Sequence, residues 1–186
     1  MPIEELLAAV SPPKLPMETG DADAWLRIQQ NLTLDLPSDL LDFASHYGSG
    51  EFSDGSRNVC VRNPFSIDNK RVLDEELMIL QQYPAFGFPL PYQAYPARPG
   101  LFPWARDANG HKLYWLTDGP PEKWPIILMT RDRVFERWQL PMTTFLAQVF
   151  SKKIRCVLWP RVGKRVRFKP IDHVRELEKK RQLEKQ

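Results

Sequence analysis

A chain of 186 residues, 42% of them hydrophobic, can bury one substantial core and is too short for two full domains. No apolar run approaches the roughly 18 residues that span a bilayer, and the N-terminus lacks a basic segment followed by an apolar signal core, so a soluble cytoplasmic protein with no membrane partner is expected. The net charge of +3 conceals an asymmetry: residues 1–150 hold 13 Lys and Arg against 19 Asp and Glu, net −6, whereas residues 151–186 hold 13 against 4, net +9.

Residues 1–20 join a short apolar stretch, Leu6 to Val10, to Ser11-Pro12-Pro13-Lys14-Leu15-Pro16, where proline removes backbone donors and cannot continue a helix. They read as a lead-in arm to a domain over residues 21–150. Asp21 or Asp23 can cap a first helix whose stripe is Trp25, Ile28 and Leu32. Leu36 to Gly48 predicts a second helix: Pro37 suits its first turn, Leu40, Phe43, Ala44 and Tyr47 share a face, and Gly48 can take a left-handed cap. Glu51-Phe52 leads through a Gly55 turn into a strand over Asn58 to Arg62, ended by Asn63-Pro64-Phe65. A helix over Ile67 to Tyr83, opened near Asp68 or Asp74, turns Leu73, Leu77 and Leu80 inward until Pro84 stops it. Residues 84–100 read as an ordered, proline-stiffened loop.

Asn109-Gly110 lies between two strand-like runs, Leu101 to Arg106 and His111 to Leu116, and predicts a tight two-residue hairpin. On the second strand Leu113 and Trp115 share one face while Lys112, Tyr114 and Leu116 share the other, so both faces are at least partly covered. Ile126 to Met129 is a continuous apolar run, as in a central strand buried on two sides. Val134 to Trp138 and a short helix over Pro141 to Phe150 complete the body.

Residues 151–186 read as a basic extension: a strand-like Ile154 to Trp159, a turn, an alternating run Arg165 to Lys169 that suits an edge hairpin, and a charge-rich helix over Asp172 to Gln186. Cys60 and Cys156, each alone in an apolar run, read as buried reduced thiols.

The order of these pieces carries a resemblance. A capped helix with Trp25, Leu36-Pro37-x-Asp39-Leu40 with Phe43 and Tyr47-Gly48-Ser49-Gly50, Asn63-Pro64-Phe65, Phe102-Pro103-Trp104-Ala105-x-Asp107-x-Asn109-Gly110, Tyr114-Trp115, Trp124-Pro125-Ile126 and Phe145-Leu146 together resemble the SUKH superfamily over about residues 21–150. That family includes bacterial immunity proteins and fungal cell-wall regulators. The resemblance implies an α+β domain with a twisted, largely antiparallel mixed sheet flanked by helices, no cofactor and no catalysis. It also implies that the partner is a protein, a toxin in many bacterial members and often a nuclease. A monomer or weak dimer is expected.

The residues themselves agree on the absence of catalytic chemistry. His46, His111 and His173 have no metal-ligand spacing to another His or Cys, and Gly48-x-Gly50 lacks the third glycine and following helix of a phosphate loop. Asp107 and Asp118 sit at hairpin ends, where Asp commonly accepts hydrogen bonds from turn backbone. Trp25, Trp115 and Trp138 lie on regular apolar faces and are expected to be buried; Trp104 and Trp124, beside prolines, are the candidates for a partly exposed cleft. Asp74, Glu75 and Glu76 suit a helix start, and with Glu51, Asp54 and Asp68 they could form a negative face for a basic nuclease. Lys152, Lys153, Lys164, Arg165, Arg167 and Lys169 support the alternative, a scaffold or nucleic-acid binder acting through phosphate neutralisation.

Overall fold

The computed structural model describes residues 2–159 and 165–172. Helix α1 (Pro2–Ala9) is followed by α2 (Ala22–Leu32), α3 (Ser38–Tyr47), strands β1 (Gly50–Ser53) and β2 (Asn58–Val61), and α4 (Asn69–Gln82), which tightens into a 3-10 turn over Tyr83–Phe86. Then come β3 (Leu101–Asp107), β4 (Lys112–Leu116), β5 (Ile126–Met129), β6 (Phe135–Trp138), α5 (Met142–Phe150) and β7 (Arg167–Pro170). The strands form one seven-stranded sheet in the order β6-β5-β4-β3-β2-β1-β7. Among the described residues every strand pairing is antiparallel, and parallel geometry occurs in the isolated bridges Met17–Gly48 and Ala94–Leu101. The fold is α+β. No helix among the described residues is long and apolar enough to cross a membrane.

The period-two alternation of β4 divides the core. Leu113 and Trp115 join the main core with Leu6, Phe43, Tyr47, Phe52 and Phe145. Tyr114 and Leu116 face the other way and join Leu80, Leu101, Ile127 and Met129 in a smaller cluster. A bulge between Pro103 and Ala105 inserts Trp104 into β3, so Trp104 and Ala105 both reach the main core, where the Trp104 and Trp115 rings stack at 5.5 Å.

Several local expectations change here. The stretch expected to be an arm forms α1, packed on α3 and α5, with Ile3, Leu6 and Val10 buried at helical spacing. Tyr47 Oη donates to the carbonyls of Leu6 and Val10, which fixes that packing. Asp21 is the N-cap of α2, accepting from Ala24 N–H at 2.7 Å. Gly48 has positive φ, as expected, but with φ +64 and ψ −150 it is extended instead of helical. A Cβ there would lie 2.2 Å from Met17 O, so the bridge to Met17 requires glycine.

The hairpin loop holds three residues, Ala108, Asn109 and Gly110, because Asp107 pairs with His111. Only Gly110 takes positive φ, at +90. Residues 154–159 form turns instead of a strand, since β7 takes the sheet edge beside β1; Cys156, Leu158 and Trp159 are nonetheless buried. The basic run therefore supplies an edge strand without the expected hairpin partner. The turn expected near Arg161 to Lys164, and all but the first residue of the helix expected over Asp172 to Gln186, lie outside the described residues.

Candidate partner face and cleft

Helix α4 sets the positions of most candidate acids. It begins at Asn69, has Asp68 as an N-cap without a side-chain capping bond, and carries no acid in its first turn. Asp74, Glu75 and Glu76 are thus second-turn residues, and the expected helix-start role does not apply. Helical spacing then separates them. Glu76 falls on the buried stripe between Leu73 and Leu80 and is 6% exposed, while Asp74 and Glu75 face out. Arg71 lies 2.9 Å from Glu75 and 3.7 Å from Asp68.

This outer side of α4 is a shallow groove of about 540 Å³ lined by Ile67, Lys70, Arg71, Asp74, Glu75 and Met78. Ile67 is 87% exposed and Met78 52%. Apolar exposure also occurs at Ile79, Phe86, Phe88 and Val134, and the Arg133 guanidinium sits 3.4 Å over the Phe88 ring centre. Isolated exposed apolar residues need no explanation, whereas Ile67 and Met78 share one groove with Asp74 and Glu75, a mixture that suits protein contact.

The other expected acids are occupied within the fold. Asp54, 7% exposed, closes the β1–β2 turn by accepting from Ser56 N, Ser56 Oγ and Arg57 N at 2.8–2.9 Å. Desolvation pushes its carboxyl up, but those donors and the Arg57 charge hold it below the usual range. Glu51 accepts from Asn58 Nδ2 at 2.7 Å and lies 3.7 Å from Lys169 Nζ. Trp104 and Trp124 are 1% and 5% exposed, so neither lines an open aromatic cleft. Trp104 points into the main core on the same face as Phe102, two positions earlier on β3, and Trp124 packs beside Trp115 while donating Nε1–H to Gly119 O at 2.9 Å.

Among the basic candidates, Lys152, Lys153, Arg165 and Arg167 are exposed, and Lys169 is engaged with Glu51 and Ser53. Lys164 lies outside the described residues, as does His173. His46 Nδ1 sits beside Asp42 O, and His111 lies in the hairpin next to Asp107. Asp107 Oδ1 accepts from the N–H groups of Asn109 and His111, which is the turn role expected of it. Among the described residues no group of three or more His, Cys, Asp and Glu is placed to hold a metal ion.

A second concavity opens where α4 leaves the sheet. Its floor takes Glu51, Cys60 and Arg106 from one cross-strand row of β1, β2 and β3, which continues to Lys169 of β7 on one side and Lys112 of β4 on the other. The cleft holds about 190 Å³ and is bounded by Ser49, Asn63, Asn69, Val72 and Ile171. Cys60 is exposed in it, contrary to the buried thiol expected, because the small cluster of apolar residues on this sheet face stops short of β2. The concave surroundings still desolvate the thiol and raise its pKa, with Arg106 and Arg62 opposing. Cys156 is buried.

At the inner end of the cleft, Arg62 pairs with Glu76, and Lys112 Nζ lies 3.5 Å from the other Glu76 oxygen. Burial lowers the Arg62 pKa, Glu76 counteracts that, and Arg106 adds repulsion. Asn63 spans the neighbouring loops: its Nδ2 donates to Glu18 O and Ser49 Oγ, and its Oδ1 accepts from Phe65 N. Neither Arg62 nor Arg106 is among the site residues expected from the sequence. Their shared signal is a basic residue at each end of an apolar pair of strands, which becomes informative only when β2 and β3 are set in register.

A sequence profile of the SUKH group described as SMI1-KNR4 cell-wall matches residues 22–141, which run from α2 to the start of α5. No match was found among curated proteins or solved structures. The profile covers well over half of the chain, including the whole lining of the α4 groove and all of the sheet cleft's lining except Ile171, and the antiparallel sheet flanked by helices is the architecture the resemblance implied. The chain belongs to the SUKH superfamily, in its SMI1-KNR4 family.

Proposed function

We propose that this protein is a non-enzymatic immunity protein that binds a toxin, a nuclease being the favoured class, and neutralises it by occlusion. Family membership supports a protein partner in general. The observation that carries the finer reading is the outer side of α4, where Ile67 and Met78 flank Asp74 and Glu75 on an open groove. Exposed apolar side chains supply contact area, and the acids accelerate the approach of a basic partner.

Co-expression with a toxin encoded next to it should restore growth, and the purified pair should co-elute with the toxin chemically unaltered. Rescue without association would exclude occlusion. The alternative, nucleic-acid binding through the basic extension, draws on the exposure of Lys152, Lys153, Arg165 and Arg167. A gel-shift series across salt concentrations separates the two, because phosphate contacts weaken steeply as salt rises.

A further inference from the structure

The charges around the sheet cleft are not evenly matched. Glu51 has Lys169 at 3.7 Å, Asp68 has Arg71 at 3.7 Å, and Glu76 has both Arg62 and Lys112. Arg106, exposed on the floor of the cleft beside Cys60, forms no ion pair among the described residues. Arg62 is the next cation; its Nε is buried without a hydrogen-bond partner. The cleft therefore combines two lining acids, each already paired, and the buried Glu76 pair at its inner end with an unpaired guanidinium, beside the apolar side chains of Val72 and Ile171. A volume of about 190 Å³ is below the roughly 300 Å³ at which small-molecule and cofactor sites begin, yet it admits a single side chain.

We propose that this cleft receives a carboxylate side chain from a protein partner, with Arg106 as its counter-ion and the apolar walls holding the flanking residues. Arg106 presents a planar fork of donors that matches a carboxylate with two parallel hydrogen bonds, a geometry lysine does not offer. Glu51 and Asp68 at the rim disfavour a doubly charged anion more than a singly charged carboxylate. The inference rests on the partner being a protein, and not on its being a toxin.

Cys60 provides a reporter inside the cleft, since Cys156 is buried. The full chain is treated with iodoacetamide at alkaline pH, and the labelling rate of Cys60 is followed by mass spectrometry with added acetyl-Leu-Glu-Leu-amide, its Gln analogue or inorganic phosphate. The Glu peptide should slow labelling in a saturable manner, with the Gln peptide binding about tenfold or more weakly, as loss of a charge-assisted pair requires. R106Q should abolish protection without changing the melting temperature, and R106K should retain part of it. Equal protection by the Gln peptide or by phosphate, full protection in R106Q, or no protection by the Glu peptide at millimolar concentration would overturn the proposal. Each outcome is independent of the toxin-rescue experiment, so failure of one leaves the other readable.

Discussion

Asp39 of α3 accepts the backbone N–H of Thr143 at 3.0 Å, so the third helix caps the fifth across 104 positions of the chain. Helix α5 starts after Pro141 and has no side-chain cap of its own, which leaves Asp39 to satisfy one of its free N–H groups. The carboxylate is 4% exposed, and its second oxygen has no hydrogen-bond partner. Desolvation raises its pKa above the usual value, more than the Thr143 bonds lower it.

The sign of the resulting pH dependence is fixed. Between the ordinary carboxylate pKa of 3.8 and the raised folded value, the native state binds more protons than the unfolded one, so this group's contribution to stability falls as pH rises through that window. Asp39→Asn keeps an acceptor for Thr143 and removes the charge, and should abolish that part of the pH dependence. Asp39→Ala leaves a buried N–H unsatisfied and should cost about 1–3 kcal/mol. Urea unfolding from acid to neutral pH checks both variants.

This cap shows what the sequence could and could not reveal. The β3–β4 hairpin, the two-faced alternation of β4 and the buried run of β5 depend on neighbours a few residues away, and were legible. Asp39–Thr143, the docking of α1 on α5 and the pairing of β7 with β1 join distant segments, and local pattern carries no record of them. Glu76 is an intermediate case. Its place between Leu73 and Leu80 at helical spacing was readable, but the run Asp74-Glu75-Glu76 draws attention to charge before phase. The cleft required both register and depth: Cys60 and Arg106 became neighbours only once β2 and β3 were aligned.

Glycine positions offer a graded test. At Gly110 an added Cβ would meet nothing closer than the Arg131 side chain at 3.4 Å, so Gly110→Ala bears chiefly the strain of positive φ, about 1 kcal/mol. Gly110→Val should cost somewhat more because its β-branch suits positive φ poorly. Gly48→Ala adds a clash with the Met17 carbonyl and should exceed both, at about 3 kcal/mol. Thermal unfolding of the three variants should follow that order.

The edge strand β7 should contribute to stability despite its basic composition. The half-buried Phe168 packs its ring 5.0 Å from Phe52 and 5.1 Å from Tyr47. Phe168→Ala should cost about 3 kcal/mol, near the low end for aromatic truncation in a core. Replacing exposed Lys152, Lys153, Arg165 and Arg167 with Gln should leave the melting temperature nearly unchanged. If the extension binds nucleic acid through all four, the same variant should flatten the slope of log K against log salt by about 3.6 on duplex DNA. An unchanged slope would remove these residues from phosphate contact.

The acids of α4 should divide by burial. Removing the carboxylate in Glu76→Ala leaves Arg62 and Lys112 without their shared anion in a poorly hydrated site, and breaking such a buried pair costs about 3–5 kcal/mol. Asp74 and Glu75 are exposed, so their joint replacement by Lys should barely move the melting temperature while slowing association with a basic protein partner. The slowing should fade as salt increases, because steering acts over a Debye length of about 8 Å at physiological ionic strength. Stopped-flow association at two salt concentrations, with calorimetry on the same variants, reads both effects. An unchanged on-rate for the Asp74 and Glu75 variant would move the interface off α4, and the Cys60 protection experiment would then decide whether it lies over the cleft.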